Sequence, residues 1–281
     1  MVRHLAEFNY ANDMDDREIC WLVSSALCKE SIVTNTWSFL PTWITSGNAP
    51  GDTNGIRTFT WEMGNNILAG EVEYCFVQRL EISGRPGELI TVSADIVGRQ
   101  FITTGSFTDL SGTGIVAREY FPFELAKFYI DNFDTNWATS FTTPTQIYNV
   151  EEFSFVFETG FNAHFKPSGQ LYFYDVTENP EAKKATLTLK QAMTSATPAF
   201  ATELAAALAG TTRYVTVDLF GTGATREVKI QMAGTYMAFP ESTEDGVITF
   251  DTVLEGVGYG VGTATVDMLD IVINSSLTAF P

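Results

Sequence analysis

The longest alternation of apolar and polar positions in the chain runs from Glu71 to Gln100. Val72, Tyr74, Phe76, Leu80 and Ile82 share one phase, while Glu71, Glu73, Arg79, Glu81 and Ser83 share the other. A second run repeats the pattern, with Ile90, Val92, Ala94 and Ile96 opposed by Thr91, Ser93 and Asp95. Successive side chains of a strand point to opposite faces, so this period predicts a long β-hairpin over 71–100. It turns at Gly84-Arg85-Pro86-Gly87 and is apolar on one side and wet on the other. Each run is well beyond the usual strand length of about 5–6 residues.

The same reading extends along the chain. Residues 1–16 are polar and are expected to form an arm or loop. Asp15-Asp16-Arg17-Glu18 then caps a short helix over "REICWLVSSALCKE", its acidic start matching the helix dipole. "IVTNTWSFLPTW" and "IRTFTWEM" read as strands around the turn-rich "ITSGNAPGDTNG". Residues 101–120 are rich in Gly, Ser and Thr and read as an extended loop. "FELAKFYID" reads as one or two helical turns. In "VEEFSFVFETGFNAHF", Phe153, Phe155 and Phe157 alternate with Ser154, Val156 and Glu158. In "ATLTLKQ", Leu187 and Leu189 oppose Thr186, Thr188 and Lys190. "TPAFATELAAALAG" is a helix closed by Gly210. "RYVTVDLFGTGATREVKIQMAG" is a shorter hairpin, and "GVITFDTVLEGVG" and "TATVDMLDIVIN" are further strands. Strands dominate without βαβ alternation, so the class is all-β with minor helices. No internal repeat or long linker divides it, and 17–281 reads as one domain behind the arm.

Composition narrows the function. An apolar fraction of 45% with 22 Phe excludes disorder and supports packed sheets. Against 34 Asp plus Glu there are only 16 Lys plus Arg, a net charge of −18. A protein that grips nucleic acid must neutralise phosphates, so this balance repels DNA instead. Cys20, Cys28 and Cys75 form no CxxC, and Cys20 and Cys28 stand too far apart on one helix for a bridge. A reducing compartment is expected. No signal core and no membrane-length apolar run is evident, which predicts a soluble, cytosolic chain.

Candidate chemistry is sparse. His4 and His164 lack neighbouring ligands, and His164 reads as a loop or strand-end residue. No GxSxG elbow supports a nucleophile. "GVGYGVGTA" lacks the spacing of a dinucleotide turn. Glu241, Glu244, Asp245 and Asp251 cluster in loop 241–251 without the spacing of a calcium loop, so an acidic turn is favoured over a cation site. Asn274-Ser275-Ser276 matches a glycosylation sequon, which matters only in a secreted chain. No enzyme, cofactor or metal is expected. A different class stays open: a monomeric β-sandwich binding module, for carbohydrate for instance, with Trp37, Trp43 or Trp61 as stacking platforms.

The order of elements is similar to that of the tail tube (major tail) proteins of long-tailed bacteriophages, from about Asp16 onward. The pieces that carry the resemblance are "ISGRPGE" with "ADIVGR", and "FSFVFETGF", within the series helix, strand, long hairpin, Gly/Ser/Thr-rich loop, strands, helix and hairpin. The resemblance implies a β-sandwich or barrel whose long hairpin joins an inner β-barrel in hexameric rings. Stacked rings would form a hollow tube that carries the genome. It further implies that Glu71, Glu73, Arg79, Glu81, Thr91, Ser93 and Asp95 line the lumen. Ser154, Glu158, Thr186, Thr188 and Lys190 would join them. Gly105, Ser106, Phe107, Thr108, Asp109 and Leu110, with the arm 1–16, would make inter-ring contacts. The implied partners are other copies of the chain, a tape-measure protein, terminator and baseplate proteins, and DNA in transit, with no membrane insertion. The place is the virion tail, assembled in the bacterial cytoplasm. An ordinary sheet with one solvated side shows the same alternation. Another ring-forming tail component, a terminator or baseplate ring, is the neighbouring alternative.

Overall fold

The structure, a computed structural model, describes residues 5–41, 56–64, 69–104, 118–132, 144–165, 173, 175–193, 199–223, 225–238, 240–244, 247–256 and 269–277. The first half runs β1 (Ala6–Asp13), α1 (Glu18–Leu27), β2 (Cys28–Val33), β3 (Thr36–Pro41), β4 (Phe59–Gly64), β5 (Ala69–Gly84), β6 (Thr91–Gly98), β7 (Phe101–Thr104) and β8 (Lys127–Asn132). The second runs β9 (Thr145–Ile147), β10 (Val150–Glu158), β11 (Phe161–His164), β12 (Asp175–Glu178), β13 (Lys184–Ala192), α2 (Ala199–Leu208), β14 (Thr212–Phe220), β15 (Glu227–Ala238), β16 (Glu241–Glu244), β17 (Val247–Gly256) and β18 (Leu269–Asn274). The fold is all-β with two helices among the described residues, and its ladders are antiparallel.

Two halves of one sheet face each other. The first follows the order β1-β6-β5-β10-β13-β17. The second contains β9-β8-β14-β15, and then β18, β3 and β2. Strand β15 belongs to both: Glu227–Met232 pairs with β18, and Gly234–Ala238 pairs with β17. The change of partner falls at Gly234, where a Cβ would stand 2.9 Å from the Glu255 carbonyl oxygen. Only glycine lets the two backbones approach this closely.

The apolar phases of both halves meet in one core. Leu80, Ile82, Val92, Phe153, Phe155 and Leu187 come from the first half, and Val215, Val217, Ile230, Ile271, Trp37 and Phe39 from the second. The Phe128 and Phe153 rings touch across the gap with centroids 5.4 Å apart. Helix α1 packs on β5, β3 and β2 and buries Ile19, Leu22, Val23 and Leu27 in the same core. Asp15 caps it as read from the sequence: Oδ1 accepts from the Arg17 and Glu18 amides, each at 2.9 Å. Helix α2 is tied through Glu203, which receives Arg213 Nε at 3.1 Å and the Tyr236 hydroxyl. Burial and the Glu203 carboxylate both push the Tyr236 hydroxyl above its ordinary range.

Four expectations are corrected. The long hairpin exists, but β5 is kinked twice. Tyr74 has φ 53°, and the register with β6 shifts between Val77 and Arg79. Each irregularity moves the phase by one residue. Val72, Cys75, Val77, Leu80 and Ile82 therefore share the main core, and Phe76 joins a second cluster with Val97, Phe161, Phe173 and Val176 against which Tyr74 packs. The arm is not a loop, because residues 6–13 form β1 along β6. It reads as polar because an edge strand buries only one side, here Ala6, Phe8 and Tyr10. Residues 101–104 of the expected loop form β7 against β5. "FELAKFYID" gives only a 3-10 turn, Phe123–Leu125, before β8. Alternating Phe128 and Ile130, paired through β14, outweigh the helix formers before them.

Candidate functional site

The registers align the outward side chains of the first half-sheet into rows. One row holds Asp13, Thr91, Ser83, Ser154 and Thr188. The next holds Ala11, Ser93, Glu81, Val156, Thr186 and Glu255. A third holds Asn9, Asp95, Arg79, Glu158 and Lys184. On the opposite flank Glu152, Lys190 and Asp251 are neighbours. Their inward neighbours Leu80, Ile82, Val92, Ala94, Phe153, Phe155, Leu187 and Leu189 are all buried. The face is thus continuous, polar and backed by core.

Its polar groups brace one another. Asn9 Nδ2 donates to Asp95 Oδ1 at 2.8 Å, and Ser83 and Thr91 share a hydrogen bond of 3.1 Å. Arg79 Nη2 meets Glu81 Oε2 at 2.6 Å, and Ser154 Oγ donates to Glu81 Oε1 at 3.2 Å. Lys184 Nζ lies 2.8 Å from Glu255 Oε2, a contact that holds the ammonium above its ordinary range. These pairs are partly solvated and contribute about 0–1 kcal/mol each, so they set order more than stability. Asp13, Glu81, Asp95, Glu152, Glu158, Asp251 and Glu255 outnumber Arg79, Lys184 and Lys190, so the field over the face is negative.

Of the residues read from the sequence, Arg79, Glu81, Thr91, Ser93, Asp95, Ser154, Glu158, Thr186, Thr188 and Lys190 come together here. Glu71 and Glu73 do not. They lie beyond the Tyr74 kink, on the part of β5 where β4 and β7 are its neighbours. Glu7, Asn9, Asp13, Glu152, Lys184, Asp251 and Glu255 were not singled out for this face. The alternation of β1 carried a usable signal for the first three, but nothing local tells which strand lies beside which. Gly105, Ser106, Phe107, Thr108, Asp109 and Leu110 lie outside the described residues, as do His4 and Trp43.

One end of the face is roofed. Phe76 and Val97 point to this side, and the separate β11–β12 pair packs on them through Phe161 and Val176. Gln78 Nε2 donates to the Phe161 carbonyl at 3.0 Å. The Arg99 guanidinium stacks 3.8 Å over the Tyr74 ring, and its Nε donates to the Phe173 carbonyl at 3.1 Å. At its lateral edge β1 closes the strand path, and no described strand covers its outer edge.

Other candidate chemistry stays apart from this face. Among the described residues no group of three or more His, Cys, Asp or Glu could hold a metal ion. His164 is exposed at the end of β11 opposite Asp175. Trp37 is fully buried, and its Nε1 donates to the Leu277 carbonyl at 2.9 Å, so it cannot serve as a stacking platform. Trp61 packs on Phe8, Tyr10 and Phe59, beside a cavity of about 520 Å³ walled by Trp21, Leu22 and Leu277. The ionic groups of that cavity are engaged, Arg118 Nη1 with Asp15 Oδ2 at 2.8 Å. Burial raises the Glu18 carboxyl there, and it pushes the Cys75 thiol up to about 12.

No protein-family model matches the chain, and no curated protein matches it in sequence.

Proposed function

We propose that the chain is the subunit of a hollow tube, a tail tube protein of the long-tailed phage type, with its outer polar face turned to the bore. The observation that carries this reading is the registered face across β1, β6, β5, β10, β13 and β17, carboxylate-rich outside and apolar inside but for the buried Gln191–Thr252 hydrogen bond. Phosphates moving past such a wall are repelled, and its described cations, Arg79, Lys184 and Lys190, are too few to release counterions and hold them. The element order of the sequence supports the same reading.

Copies of the chain close into rings, for which hexamers are the expected number, and the rings stack. An open strand edge invites aggregation, and ring closure removes it by pairing the edge with the next copy. The outer edge of β1 suits that use. Residues 105–110 join ring to ring. The bore holds a tape-measure protein during assembly and passes DNA during ejection. Terminator and baseplate proteins close the two ends. The protein resides in the virion tail, is assembled in the bacterial cytoplasm, and does no catalysis.

Electron microscopy and sedimentation of the purified protein test the proposal together. Open-ended hollow tubes or their constituent rings are expected. Rings that never elongate under any condition assign the chain to a terminator or baseplate ring instead. A single species at the monomer mass of 30.9 kDa refutes both.

A further inference from the structure

The cavity beside Trp61 lies between the start of α1 and strand β4. Its volume of about 520 Å³ falls within the range of small-ligand sites, roughly 300–1,000 Å³. Three half-buried aromatic side chains wall it, Trp21 from α1 and Phe59 and Trp61 from β4. Trp61 rests on Tyr10 with ring centroids 5.0 Å apart and on Phe59 at 6.1 Å, the planes inclined by 60° and 59°. The ring is thus braced by β1 and by its own strand, and the wall stands before any ligand arrives. Thr60 and Arg118, which also line the cavity, are exposed, so it opens to solvent on their side.

The charges around the cavity are unequally matched. Asp15 Oδ2 holds Arg118 Nη1 at 2.8 Å, and Oδ1 caps α1. Arg17 turns its Nε to the Ser276 hydroxyl at 2.8 Å. Glu18 meets the neutral Asn12 amide at 3.4 Å, and Arg118, already committed to Asp15, stands 3.9 Å away. Burial, and after it the nearby Asp15 charge, raise the Glu18 carboxyl above its ordinary range. An entering anion would have to compete with a buried carboxylate for Arg118, whereas an entering cation meets a carboxylate short of positive charge. We propose that this cavity binds an organic ammonium group on an apolar stem, the cation set against Glu18 and the aromatic walls and the stem against Leu22 and Leu277. Aromatic faces attract such cations through the ring quadrupole, and more strongly where water is displaced. A lysine side chain of a partner protein and a free alkylamine share this chemistry. The site lies apart from the polar face and does not depend on the tube reading.

The test titrates the full-length protein with n-butylammonium chloride, whose stem matches the four-carbon stem of lysine. Tryptophan fluorescence reports binding, since Trp21 and Trp61 line the cavity. Equal concentrations of 1-butanol and sodium chloride control for the stem and for ionic strength. A saturable change is expected with butylammonium and not with either control. Glu18→Gln keeps the side-chain volume, removes the charge and should weaken the affinity about tenfold or more. Lysine blocked at both its amino and carboxyl ends separates the two sources. A response like that of butylammonium identifies a partner's lysine side chain as a competent ligand, and no response restricts the site to small free amines. An absent or unsaturable butylammonium response overturns the proposal, as does an equal response to butanol or an affinity unchanged in E18Q. Should E18Q fold poorly, Phe59→Leu keeps an apolar wall without its π face, and a loss of butylammonium affinity is required of it.

Discussion

Asp15 offers a quantitative test of how the helix, the loop exit and the sheet are joined. Its carboxylate is fully buried and makes two kinds of contact. Oδ1 accepts the amides of Arg17 and Glu18, and Oδ2 meets Arg118 at 2.8 Å. Asp15→Asn keeps an acceptor for the cap and loses only the charge. The Arg118 side chain is 51% exposed and can be rehydrated, so the lost ion pair should cost only about 1 kcal/mol. Asp15→Ala removes the cap too, at about 0.5–2 kcal/mol. It also leaves two amides short of an acceptor in a buried place, at about 1–3 kcal/mol if water cannot reach them. The expected loss is therefore about 1 kcal/mol for D15N and about 3 kcal/mol for D15A. Urea denaturation followed by tryptophan fluorescence measures both, since Trp21 lies on α1. Equal losses in the two variants would show that charge and not capping holds this junction, and would refute the reasoning.

Burial pushes the Asp218 carboxyl up to about 6 against the pull of Lys229 at 3.8 Å. The folded chain then holds this proton to higher pH than the unfolded one, so the contribution of Asp218 to stability falls as pH rises from about 4 through 6. Asp218→Asn should gain on the unaltered protein at pH 7 relative to pH 4 in paired denaturation curves, and a gain that is the same at both pH values contradicts this. Phe76→Ala should cost about 3–5 kcal/mol and raise amide exchange in β11 and β12 more than in β10 and β13. Uniform exchange across all four strands would deny the second core its separate standing. Glu152→Lys with Glu158→Lys should change stability by less than about 1 kcal/mol, both being outward positions. On the proposed tube they should retain DNA in a salt-dependent way, which delivery per imaged particle would reveal, and normal delivery at low salt counts against a bore-facing position.

How much of this was legible depends on how local each signal is. The hairpin, β10, β13 and the β14–β15 hairpin follow from alternation alone, because one buried face imposes it residue by residue. The outward phase from Arg79 to Ser83 and from Thr91 to Asp95 was readable for that reason. The phase fails where the backbone kinks: nothing in "EVEYCFVQR" marks Tyr74 as left-handed or Gln78 as bulged, so strict alternation puts Tyr74 and Phe76 on the wrong face. The second irregularity is held by distant groups, the Ser25 hydroxyl accepting the Val77 amide at 3.1 Å and the Thr159 hydroxyl donating to its carbonyl. Strand β1 escaped notice because an edge strand needs few apolar residues. Asp251 reads from the sequence as part of an acidic turn, and only the pairing of β17 with β13 places it beside Lys190.

The Asp16 junction carries a consequence for timing. Asp16 is buried, yet its partners Ser275 and Ser276 stand 259 and 260 positions later in the chain. Arg17 likewise reaches the Ser276 hydroxyl at 2.8 Å, and Arg226 reaches the Ser275 carbonyl at 2.9 Å. At a synthesis rate of about 5–20 residues per second, tens of seconds separate the two ends of this contact. Until then the Asp16 carboxylate has to stay hydrated, and the start of α1 cannot settle into its final site. The β15 strand, shared by both halves of the sheet, also arrives late. Early strands must therefore wait on the ribosome with their apolar sides unprotected, and the native state is completed from its far end inward.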